Sequence, residues 1–168
     1  MGIKKNITAF LVIGILGTLF HFVYEWTNEN YIIGLFLPVS ESVWEHLKLI
    51  FYPTLIYSGF EYFTVKNKPD NYIPAVAVSI FCGMFATTAL YYIYSGILGF
   101  NISFIDISIF FIAVIILLVK RNKILNSEKL NTKNAVITSL ILLGITAFLF
   151  AVWSYNPPSL GIFTPPVN

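Results

Sequence analysis

The chain has 168 residues, of which 57% are hydrophobic and 11% charged, with a formal net charge of +2 and a mean hydropathy of +0.79. A soluble domain of this length carries about 25% charged residues, so a water-soluble globule is excluded, and so is a disordered chain, which needs low hydrophobicity and high charge. Cys82 is the single cysteine, which removes any internal disulfide framework, and the small net charge gives no basis for nucleic-acid binding. The expectation is an all-α, multi-pass protein of the cell membrane, one transmembrane domain over residues 1–168.

A membrane-spanning helix needs about 20 mostly apolar residues, because the hydrocarbon core is about 30 Å thick and a helix rises about 1.5 Å per residue. In chain order, five segments meet that requirement, over residues 6–26, 42–65, 72–95, 103–119 and 134–153. Short polar stretches separate them, and a Pro-rich tail follows. Barrel strands would alternate apolar and polar residues, whereas Ile109 to Val119 is apolar throughout. The segments therefore predict a five-helix bundle, with neither internal repeats nor the equal inverted halves of many transporters.

Lysine and arginine accumulate in cytoplasmic loops. Lys4 and Lys5 precede the first helix, Lys66 and Lys68 follow the second, and Lys120, Arg121, Lys123, Lys129 and Lys133 follow the fourth. These nine residues define one side, which places the N-terminus in the cytoplasm and the C-terminus outside. With Glu61, Asp70 and Glu128 the inner side carries +6, and Lys48 with Glu25, Glu29, Glu41, Glu45 and Asp106 gives the outer side −4. No small-x-small cleavage site follows the first apolar stretch, so it reads as an uncleaved anchor. Trp26, Trp44, Trp153 and the tyrosines Tyr91, Tyr92, Tyr94 and Tyr155 are expected in an interfacial aromatic belt.

Both histidines and four of the eight acids lie between Thr18 and Lys48. His21 and Glu25 are four residues apart and share one helix face, which Gly14, Gly17 and Thr18 extend as a stripe suited to close helix packing. Glu41 and Glu45 repeat this spacing, and His46 lies about 100° round from Glu45. Charged groups at membrane depth are costly and usually face a protein interior or a watery cavity. Imidazole with carboxylate suits zinc, manganese or iron. The expected metal ligands are His21, Glu25, Glu45 and His46, with Glu25 and Glu41 as candidate catalytic carboxylates; in the hydrolase reading one or two of Glu25, Glu41 and Glu45 join the histidines and a remaining carboxylate activates water.

A structural reading of the same residues stands beside that one. Ser42 and Glu45 match a capping box, Glu41 and Glu45 suit the positive end of a helix dipole, Glu45 can pair with Lys48, and His21 with Glu25 can be a buried pair that locks helix packing.

The stretch from Pro38 through Val39, Ser40, Glu41, Ser42, Val43, Trp44, Glu45, His46, Leu47 and Lys48 to Leu49 ends at Pro53 and is preceded by His21 to Trp26. It resembles a family of small bacterial integral-membrane proteins of unknown function. The resemblance is densest over the first two helices; later helices match in hydropathy and in the Pro-rich tail. Ser40 stands where the family pattern has Asn. The resemblance implies that the motif is a unit and implies no activity.

Elsewhere, Pro53 predicts a kink that frees the carbonyl of Leu49. Asp106 reads as an N-terminal capping residue of the fourth helix, Glu61 as a partner of Lys66 or Lys68 or a proton-relay member, and Cys82 as a helix contact. Phosphate loops, the His-Glu-x-x-His zinc motif and the Gly-x-Ser-x-Gly elbow do not occur in the sequence. Three classes of function remain: a metal-dependent membrane-embedded hydrolase, which leads; a non-catalytic membrane partner or immunity-type protein; and a small ion or proton transporter. The partners these classes admit are membrane lipids, a lipid or peptide substrate, and a second copy of the chain.

Overall fold

Local signals in the sequence explain several of the helix ends. The computed structural model describes residues 3–166, so Val167 and Asn168 lie outside the described residues, as does the side chain of Lys4. Helix α1 is Ile3–Trp26, and a short α2, Tyr31–Gly34, follows, its first amides bonded to the Asn30 side chain. Helix α3, Val43–Thr64, starts at Ser42, whose hydroxyl accepts from the Glu45 amide at 3.4 Å. Helix α4, Tyr72–Leu98, stops at Gly99, where φ is 78°, a left-handed turn that glycine adopts without strain. Helix α5 is Ser103–Leu125, and α6, Lys133–Trp153, is capped by the Thr132 hydroxyl. A 3₁₀ turn, Gly161–Phe163, closes the described chain, and the described residues contain no strand.

Four helices, α1, α4, α5 and α6, are long and apolar enough to cross a membrane. Helix α3 is long enough but carries Glu45, Lys48 and Glu61. The reason for this composition is its position: α3 packs against α1, α4, α5 and the 3₁₀ turn, and all three charged side chains are buried within protein. Together with its neighbours it forms the apolar core, centred on Ile50 and Phe51 of α3 and on Ile13, Ile80, Val114, Leu117 and Phe150.

The structure departs from the sequence expectations at several places. Helix α5 runs on to Leu125 instead of ending near 119, because Arg121 turns inward to pair with Glu61 and reaches the Tyr72 hydroxyl at 3.2 Å. Glu61 thus takes Arg121 as its partner in place of Lys66 or Lys68. The Asn71 amide nitrogen lies 2.7 Å from the carbonyl of Ile124 and 2.8 Å from that of Ser127, fastening the end of α5 to the start of α4. Of the aromatic residues expected at the interface, Trp44 and Trp153 pack together with Phe150 and Phe163, and Trp26 is exposed; neither placement bears on the belt. Asp106 does not cap α5; it accepts hydrogen bonds from the Tyr94 hydroxyl and from the Asn101 amide at 3.2 Å.

Candidate metal site

Close approach of α1 and α3 sets the site. Pro53 has no amide hydrogen, so the Leu49 carbonyl loses its helical donor, and Gly17 packs against that carbonyl: a Cβ at Gly17 would lie 3.0 Å from it. One turn further along α1, His21 meets His46 of α3, with ring centroids 5.2 Å apart and planes inclined by 51°.

Each imidazole is held differently. His46 Nδ1 lies 2.9 Å from the Ser42 carbonyl oxygen, and its Nε2 lies 3.4 Å from Glu41 Oε2. With Nδ1–H donating to a backbone carbonyl, Nε2 is the nitrogen that would ligate a cation, giving up its proton and its contact with Glu41 to do so; a backbone-bonded Nδ1 is common around metal-binding histidines. The Nδ1 of His21 is buried and has no hydrogen-bond partner. Glu41 precedes α3 and folds back over His46; this contact holds its carboxyl below the usual carboxylate range, against the opposing effect of partial burial. One donor atom from each of His21, Glu41 and His46 forms a group in which all separations are within 4.8 Å. Zinc bonds of about 2.0–2.2 Å would draw the donors to roughly 3.4 Å apart, a movement within the reach of side-chain rotation.

Glu25 and Glu45, both expected as ligands, lie outside this group. Glu25, near the end of α1, is exposed, whereas Gly14 and Gly17 of the same stripe are buried. Glu45 belongs to a separate buried cluster. Its Oε2 accepts from the Val39 amide and the Lys48 ammonium, each at 2.8 Å, and its Oε1 lies 3.0 Å from the Ser154 hydroxyl. Lys48 is completely enclosed and also reaches the carbonyls of Gly34 at 2.9 Å and Leu37 at 3.0 Å. The division follows from helix geometry, because neighbours on a helix diverge by about 100°: Glu45 and Lys48 face the loop and α6, and His46 faces α1. Glu41, considered both for catalysis and as a ligand, sits among the donors.

The three donors border a cavity of about 660 Å³ between α1, α3, α4 and α5. Its wall is mostly apolar, with Asp106, Tyr91 and Asn101 on the side of α4 and α5, and with Pro165 and Pro166 of the tail at its edge. The sequence drew attention to the tail by its proline content, but composition carries no information on which cavity a tail covers. Residues 3–168 match a family of unknown function, DUF6512. The chain belongs to that family. No curated protein matches it, and no solved structure does. The match extends beyond the first two helices, where the motif is densest, to the C-terminal tail. With its apolar helices, this family membership is that of an integral membrane protein of unknown activity, and its chemistry has to be argued from the side chains themselves.

Proposed function

We propose that this protein is a metal-dependent hydrolase of the cell membrane, a single transmembrane domain in which His21, Glu41 and His46 hold one zinc, manganese or iron ion at the non-cytoplasmic end of the bundle. The observation that carries this reading is the buried, partnerless Nδ1 of His21 beside His46, whose own Nδ1 is already bonded to Ser42. A buried polar atom without a partner costs about 1–3 kcal/mol, and a cation shared with His46 Nε2 and Glu41 offsets that cost. Helix α3 is taken as the fifth span, because its charged side chains are paired inside the bundle rather than exposed around it. The N-terminus lies in the cytoplasm and the tail outside.

Two histidines and one carboxylate would hold a zinc ion with a coordination position to spare, and the cavity beside them has room for water. A zinc ion held there would supply an acidified water, with a pKa of about 7. Asp106 lies on the facing wall; Tyr94 and Asn101 each occupy one of its oxygens, and the remaining lone pairs can accept the proton of that water. Glu25 has no part in this assignment.

Metal content measured on protein purified in detergent tests the reading. The wild type is expected to retain about one equivalent of a divalent cation, consistent with one three-donor site. His21→Ala should lose it while keeping its helical content, and Glu25→Gln should keep it. Retention of the cation by a folded His21→Ala variant, or a wild type that binds none of zinc, manganese and iron on titration, would overturn the proposal.

A further inference from the structure

The cavity has a second property that its polar edge does not explain. On one side of the His21, Glu41 and His46 donors its surface is hydrocarbon, contributed by Leu49, Ile109, Phe110 and Phe111. Two other wall residues, Phe22 of α1 and Ile107 of α5, are 42% and 59% exposed on helices apolar enough to span a membrane. The cavity therefore reaches the outer surface of the bundle between α1 and α5, on faces that lipid chains would contact. His21 lies five residues from the end of α1, within about 8 Å of it along the axis, close to the boundary between hydrocarbon and headgroups.

Resting on the metal-dependent reading above, we infer that the substrate is a membrane lipid whose acyl chain enters sideways between α1 and α5 and lies against Leu49, Phe110 and Phe111, so that its ester or amide carbonyl meets the metal. The location of the donors selects the bond. They adjoin the apolar wall directly, with His21 beside Phe22 at a ring-centroid distance of 5.0 Å, so the first polar group beyond the chain reaches them. In an acyl lipid that group is the carboxylic ester or amide; the phosphodiester of a phospholipid lies further out. A cavity of about 660 Å³ falls within the usual size of ligand sites, about 300–1,000 Å³. Water, the only co-reactant, adds through its oxygen to the acyl carbon. The bond from that carbon to the alcohol oxygen or amine nitrogen then breaks, and the water proton taken up by Asp106 passes to the leaving group. The products are a fatty acid and a free alcohol or amine, with no change of oxidation state.

The test uses the full-length protein, loaded with zinc or manganese and reconstituted in phosphatidylglycerol vesicles that contain a trace of the same lipid with a diazirine in its acyl chain. Light should cross-link that chain to the cavity wall, with adducts mapped by mass spectrometry on α3 near Leu49 and on α5 near Phe110, and fatty acid should be released in the dark. Thr87→Phe, which fills the cavity from α4 without touching a donor, should lower both the wall adducts and the release by at least about tenfold, as steric exclusion in a pocket does, with metal content unchanged. If that variant does not fold, Thr18→Phe at the cavity edge takes its place. Adducts confined to the periphery, or fatty-acid release unchanged in the filled variant, would overturn the lipid inference and leave the metal site standing. Loss of metal only in His21→Ala, with wild-type metal retained, supports the site independently of any lipid result.

Discussion

Single side chains in α3 divide the polar cluster into two parts with different work. Glu45 and Lys48 are three residues apart, almost completely buried, and joined at 2.8 Å; through Val39, Gly34, Leu37 and Ser154 they fasten the loop after α1 and the end of α6 to the start of α3. Breaking a buried pair is far more damaging than replacing it whole, because the remaining charge has no compensation. Lys48→Met is therefore expected to lower stability by about 3–5 kcal/mol, measured by chemical denaturation in detergent, and the double variant Lys48→Met with Glu45→Gln should recover a large part of that loss. A double variant no more stable than Lys48→Met would show that the ammonium's contacts to backbone carbonyls, rather than the ion pair, hold the loop. The pairing of Glu45 with Lys48 was legible as a spacing in the sequence. The turn that carries Glu41 back over His46 was not, since it depends on backbone geometry before the helix starts. Helical spacing therefore proposed Glu25 and Glu45 as ligands, whereas the folded chain brings Glu41 to the two histidines.

At the scale of helices, the distance between the two imidazoles depends on how closely α1 approaches α3. A Cβ at Gly17 would run into the Phe110 ring and the Leu49 carbonyl, while one at Gly14 would meet only the Phe111 ring, at 3.0 Å. A ring can turn aside and a backbone carbonyl cannot. Gly17→Val should thus push α1 outward, cost about 1–3 kcal/mol as overpacking does, and sharply reduce metal retention with helical content unchanged; Gly14→Ala should keep the metal. Equal metal-to-protein ratios in wild type and Gly17→Val would separate the site from this packing. The glycine stripe and the proline were both visible in the sequence, as were the approximate limits of the long helices, because periodicity and capping residues are local. The extension of α5 was not visible. Arg121 sits in a stretch dense in lysine that reads as a loop, and only Glu61, 60 residues earlier in the chain, explains why it stays helical and buried.

For the whole molecule, the decisive quantity is the number of spans, because it fixes on which side the cavity opens. Four spanning helices would put both termini on one side of the membrane, whereas counting α3 as a fifth puts them on opposite sides. The charge distribution favours the second arrangement even after the buried pairs are set aside. Removing Lys48 with Glu45 and Arg121 with Glu61 takes one charge of each sign from each side. Eight lysines then remain on the same side as Asp70 and Glu128, and on the other side Glu25, Glu29, Glu41 and Asp106 remain without a lysine or arginine. Basic residues in short loops are retained in the cytoplasm, so the proposed five-span arrangement keeps the side with the lysines inside and turns the donors, with the cavity, outward. Reporters fused after Asn168 and within the loop after Trp26 should accordingly be active only when exported, and one fused between Lys66 and Asp70 only in the cytoplasm. A cytoplasmic tail with an exported first loop would reduce the spans to an even number and remove α3 from the count. A cytoplasmic first loop and tail would invert the bundle and move the candidate metal site to the cytoplasmic side.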